Sequence, residues 1–170
     1  MRLKTLTLLG LVLAACAANA QNPLTADSKT LYGRFRGNVL KAAEKMPEEN
    51  YSFKPSDDVR TFGQLVGHVA DANIAFCAAV KGEKKAGGIE KGKTTKADLV
   101  AGLKEAYAYC DSVYEGMTDA QALERIKFFG SEMAKISVLG FNMVHTYEHY
   151  GNMATYMRIK GIVPPSSEGR

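Results

Sequence analysis

A chain of 170 residues, of which the first 20 or so read as a leader, leaves material for one domain with its own core and excludes two comfortable ones. The formal charge of +4, or +2 once Arg2 and Lys4 are set aside, is too small to signal an acidic partner. The lysines between Lys81 and Lys96 have no aromatic residue among them, so they read as a solvated connection and not as a nucleic-acid surface.

Arg2 and Lys4 form a short positive region, Leu6–Leu13 an apolar one, and Ala18-Asn19-Ala20 a small-x-small cleavage site before Gln21. The apolar run is too short for a membrane span. Residues 1–20 are therefore expected to be a cleaved signal peptide, with residues 21–170 as the mature domain. The same segment has a second reading. Leu13-Ala14-Ala15-Cys16 is similar to a bacterial lipobox, which would leave Cys16 lipidated and the protein anchored at the outer membrane. Both readings predict export, to the periplasm or the cell exterior.

The first helical pattern follows Pro23, with Thr25 or Asp27 as its cap. Leu31, Phe35, Val39, Ala42 and Met46 recur on one helical face, and Pro47 stops the run. Glu48–Asp58 reads as loop. A second helix is expected from Thr61 to Val80, with Leu65, His68, Val69, Ala72, Ala75, Phe76 and Ala79 on its buried stripe and Gly82 and Gly87-Gly88 beyond its end. The third begins at Thr95, with Asp98 three residues on, and buries Leu99, Leu103, Ala106, Cys110, Val113 and Met117. Thr118–Leu123 fits an extra helical turn, and Ile126–Ala134, around Gly130-Ser131, is the one place suited to a short hairpin or an irregular loop. The fourth helix is expected from Ser137, as N-cap, to Lys160. Its stripe is Val138, Phe141, Asn142, His145, His149, Asn152 and Tyr156, with Gly161 as cap and Pro164-Pro165 barring continuation. Four amphipathic helices predict an all-α four-helix bundle with long connections, in an order that need not be up-down-up-down.

The chemistry lies in the histidines, of which there are three. His145 and His149 stand four apart on a helix, so their imidazoles share a face one turn apart. Side by side in a core, both need partners. A metal ion supplies one to each, and His68, on another core-facing helix, completes a three-histidine set. Three protein ligands plus a solvent position is the pattern of open, catalytic-type sites, whereas structural zinc sites fill all four positions with protein. Glu148 lies about 60° from His145 around the helix and flanks the site. With Asn152 and Tyr156 it is a candidate to support the ligands, and Asn142 is a plausible neighbour. His145-x-x-Glu148-His149 also matches an inverted zinc-protease motif, but the further acidic ligand that reading needs is missing, because Glu168 is the one acid downstream. Cys77 lies about 180° around the helix from His68 and about 13 Å along it, so it cannot share the ion. Cys77 and Cys110 are instead a candidate disulfide between the second and third helices, or two small buried apolar residues.

Two segments carry a resemblance. Arg60-Thr-Phe-Gly-Gln-Leu-Val-Gly-His68-Val-Ala-Asp-Ala-Asn73 resembles the second-helix signature of the DinB-like, damage-inducible family of metal-binding helical bundles. The segment from His145 through Tyr150 to Pro165 resembles its fourth-helix signature and exit. The resemblance spans residues 25–165. It implies a four-helix bundle holding one divalent ion at His68, His145 and His149, a fold shared with bacillithiol- and mycothiol-dependent S-transferases, and often a homodimer. The expected ion is zinc or nickel first, with iron, manganese or copper also suited to imidazole-rich sites. The expected substrate is a small thiol or another small molecule. The functional expectation is a metal-dependent transferase or hydrolase. The alternatives are a metal-binding module without catalysis and a structural bundle with three core histidines.

Overall fold

A computed structural model describes residues 22–85 and 87–169. The expected leader, including Cys16, lies outside the described residues. Four long helices form the molecule: α1 (Pro23–Lys45), α2 (Phe62–Lys81), α4 (Lys96–Glu115) and α6 (Lys135–Ile159). Single helical turns, α3 (Ile89–Gly92) and α5 (Asp119–Ala122), interrupt the connections. Strands β1 (Arg125–Phe128) and β2 (Ser131–Ala134) make an antiparallel hairpin in which Arg125 faces Ala134 and Phe128 faces Ser131. Among the described residues, no helix is long and apolar enough to cross a membrane.

α2 packs on α4 and α6, while α1 packs on the other sides of the same two helices. Successive long helices therefore cross the bundle twice, between α1 and α2 and between α4 and α6, and the long connections serve those crossings. The core is a continuous set of fully buried side chains, including Tyr32, Phe62, Leu103, Tyr107, Leu139 and Met153. Each contributes on the order of 1.5–3 kcal/mol. Cys77 and Cys110 are bonded as a disulfide inside this core, with Cα atoms 5.4 Å apart, and tie α2 to α4.

Local signals explain most helix ends. Thr61 and Gln64 form a reciprocal capping box at the start of α2, and Gly82, at φ 73°, closes its end in the left-handed conformation. Thr95 caps α4 by accepting from the Asp98 N–H, and Thr118 with Gln121 repeats the capping box on α5.

Three expectations are corrected. α1 starts at Pro23, and neither Thr25 nor Asp27 caps it. Its free N–H groups at Leu24 and Thr25 donate instead to the Asp119 carboxylate at 3.1 and 2.9 Å, and Asn22 Oδ1 accepts the Asp119 N–H at 2.7 Å. The cap comes from a residue 94 positions beyond Thr25 in the chain, so no local pattern announces it. α1 also turns Tyr32 inward with Val39, Ala42 and Met46, leaving Leu31 45% exposed. Finally, α6 starts at Lys135 without a side-chain cap, because β2 runs directly into it, and Ser137 lies inside the helix.

Candidate metal centre

α2 and α6 lie side by side, and the three histidines meet in the seam between them. His145 Nε2 stands 3.2 Å from His68 Nε2 and 3.1 Å from His149 Nε2. Neutral imidazoles cannot place a proton on every one of these contacts without leaving lone pairs opposed. One ion at ~2.0–2.1 Å from each nitrogen resolves the arrangement, since tetrahedral bonds of that length hold their donors ~3.3 Å apart. The donor set and its spacing thus fit a divalent ion.

The histidines are half-buried, not central. The buried stripe of α6 runs through Asn142, Thr146, Tyr150, Met153 and Met157, and His145 and His149 occupy the flank next to it. Two members of the predicted stripe are accordingly outside: Phe141 is 44% exposed, and Asn152 is exposed as well. Asn142 is buried, but its amide donates to Asn73 Oδ1 at 3.0 Å and supports the core instead of an imidazole. Tyr156 is buried and donates its hydroxyl to the Arg60 carbonyl at 3.0 Å. Glu148 is exposed and makes no hydrogen bond to a histidine among the described residues.

The carboxylate that does reach the cluster is Glu90, on α3. Its Oε2 accepts from His68 Nδ1 at 3.1 Å, and its Oε1 accepts from Arg60 Nε at 2.8 Å. Accepting the Nδ1 proton fixes the tautomer that turns the His68 Nε2 lone pair toward the other two histidines. By its composition alone this stretch reads as plain solvated connection. Two signals in α2 pointed to it. Gly67 precedes His68, and a Cβ there would lie 2.5 Å from the Glu90 Cα, so only glycine lets α3 rest on α2. Asp71, one turn after His68, accepts the N–H groups of Gly88, Ile89 and Glu90 at 2.8, 2.8 and 3.0 Å, pinning the start of α3.

Burial pushes the His149 imidazole down to about 4, helped by the charge of His145 and His68 when they are protonated. Burial lowers His145 as well, again with His68 contributing. Both are therefore neutral at pH 7, the state a metal ligand needs. Nδ1 of His145 and of His149 is buried without a protein partner among the described residues.

Two surfaces adjoin the cluster. On one side a cleft of about 770 Å³ has His149, Asn152 and Tyr156 along α6, facing Arg60, Gln64 and Glu90. On the other, the Phe76 ring lies 5.6 Å from that of His145 and is followed by Phe141 and Phe128 at 5.5 and 5.3 Å.

The model of the DinB superfamily matches residues 31–153. The chain belongs to that superfamily. Among its relatives, the uncharacterized protein YjoA of Bacillus subtilis is 26% identical over 122 residues, which are 70% of this chain and 79% of YjoA. The crystal structure of YjoA, a DinB-like protein, superposes with a TM-score of 0.69 at 23% identity, covering 85% of this chain and 99% of that one. A mutant of a mycothiol-dependent maleylpyruvate isomerase aligns at a TM-score of 0.64 and 14% identity, over 76% of this chain and 60% of that enzyme. YfiT of Bacillus subtilis, a probable metal-dependent hydrolase with an unusual four-helix bundle topology, aligns at 0.61 and 15%, over 81% of this chain and 88% of YfiT. The DinB-like bundle is thus the fold of this chain, with a three-histidine cluster on the seam of two of its helices.

Proposed function

We propose that the protein binds one divalent ion through Nε2 of His68, His145 and His149 and acts as a metal-dependent transferase or hydrolase on a small molecule. The observation that carries the reading is the convergence of the three Nε2 atoms, 3.1–3.2 Å from His145 to each neighbour, beside an open cleft. A divalent ion held by three protein ligands supplies Lewis acidity and makes a water or thiol in an open position acidic enough to react at neutral pH. The chain's residues do the rest. Glu90 holds His68 in one tautomer, burial keeps His145 and His149 neutral, and the cleft wall positions whatever enters. A thiol substrate is favoured by the likeness to a mycothiol-dependent isomerase, and hydrolysis by the likeness to YfiT. The leader pattern of residues 1–20 supports action outside the cytoplasm.

Elemental analysis of tag-free protein, purified without added metal, tests the reading beside His145→Ala. Close to one ion per chain, lost in the variant, is the expected result. Absence of any ion from the unaltered protein, even after incubation with zinc or nickel, overturns it.

A further inference from the structure

Arg60 is held at both ends. Its carbonyl accepts from the Tyr156 hydroxyl at 3.0 Å, and its Nε donates to Glu90 Oε1 at 2.8 Å. Both holding groups belong to the site: Tyr156 lies on the ligand-bearing helix, and Glu90 is the acceptor for His68. What remains is the outer edge of the guanidinium. Its two terminal nitrogens have no hydrogen-bond partner among the described residues, and the side chain is 42% exposed along the cleft that His149 also lines. Holding Nε leaves those terminal nitrogens to meet a ligand, and a guanidinium edge of that kind matches a carboxylate. The other cation of the rim is paired on the rim itself. Lys54 pairs with Asp57 at 3.1 Å, and Asp58 is hydrogen-bonded by Ser56.

We infer that Arg60 is the anion-recognition residue of this site, and that the substrate is a small molecule carrying a carboxylate on the arm that lies in the cleft. The inference rests on the metal reading above and gives it a substrate class. The reacting group meets the three-histidine cluster while the carboxylate lies against the terminal nitrogens of Arg60. The side chain is preorganised for that role: it is already oriented before ligand enters, so little side-chain entropy is lost on binding.

The test uses cobalt(II)-loaded protein and two thiol probes of similar size, 3-mercaptopropionate and 2-mercaptoethanol. Binding of each is followed by thiolate-to-cobalt charge-transfer absorption. The carboxylate probe is expected to bind about tenfold or more tightly than the neutral one, as a charge-assisted hydrogen-bond pair warrants. In Arg60→Gln that ratio should fall to near one, whatever happens to absolute affinity. Arg60→Lys, which keeps the charge but loses the fork, should give an intermediate ratio. Equal binding of the two probes by the unaltered protein, or an unchanged ratio in Arg60→Gln, overturns the Arg60 assignment and leaves the metal site standing. Failure of cobalt to bind at all overturns the metal reading and this inference with it.

Discussion

Among single residues, Glu90 shows how much one hydrogen bond can set. An imidazole binds metal through one nitrogen only if its proton sits on the other, and the 3.1 Å contact from His68 Nδ1 to Glu90 decides which. Glu90→Gln keeps the size but loses the negative acceptor, and it should weaken zinc binding by about 10–100-fold, as read by competition against a chromogenic chelator. Unchanged affinity would show that the contact does not orient the ligand. Glu148→Gln, on an exposed side chain, should leave affinity unaltered in the same assay. Proton linkage follows from His149. Its folded value lies near 4, below the ordinary value of 6.5, so between those two values the unfolded chain binds more protons than the native one. The metal-free protein should therefore lose stability as pH falls from 6.5 to about 4 and lose no more from this group below that. Urea midpoints measured across the range check this, and His149→Phe should flatten that part of the curve.

Individual elements position the site through contacts that secondary-structure patterns do not encode. α3 is a single turn, far too short to hold itself together in isolation, and it is fixed from outside by Asp71, Gly67 and Gly102. Gly102 of α4 would place a Cβ 3.0 Å from Ile89, and Gly67 of α2 would place one 2.5 Å from Glu90 Cα. The first distance demands a small adjustment of a side-chain methyl. The second is a collision with backbone, and α3 must move. Gly67→Ala should raise the helix propensity of α2 yet destabilise the protein by about 1–3 kcal/mol, and it should weaken metal binding because Glu90 leaves with α3. A denaturation midpoint that rises in this variant would show that α3 does not rest on α2. The histidine pair was legible because spacing by four on a helix is a local property. Glu90 was not, because its role depends on a loop returning to a helix more than twenty residues earlier in the chain.

For the whole molecule, the two diagonal crossings of the bundle put α2 between α4 and α6, and that single placement brings both the disulfide and the histidine cluster into being. Closing a separation of 33 residues, the Cys77–Cys110 bond should contribute about 2–4 kcal/mol by restricting the unfolded chain. Replacing both cysteines by alanine should lower the urea midpoint by a corresponding amount while leaving the metal stoichiometry unchanged, since neither sulfur belongs to the cluster. Loss of the ion in that variant would show that the disulfide also sets the register of α2 against α6.

By itself the sequence determined the helices, most of their caps, a place for a hairpin between the third and fourth long helices, and the His145/His149 pair. Each is written in neighbours a turn or less apart: apolar spacing, a threonine before a helix, an imidazole four residues from another. Tertiary structure alone decided which carboxylate serves the histidines, where the α1 cap comes from, and which flank of α6 faces the cleft. Those outcomes depend on packing between distant segments. Phe141 and Asn152 lie outside although their helical phase suits a buried stripe, because α6 meets its neighbours through Asn142, Thr146 and Met153 instead. A helix has one apolar phase in its sequence but several faces in a bundle, and the face that is buried is chosen by the helices it meets.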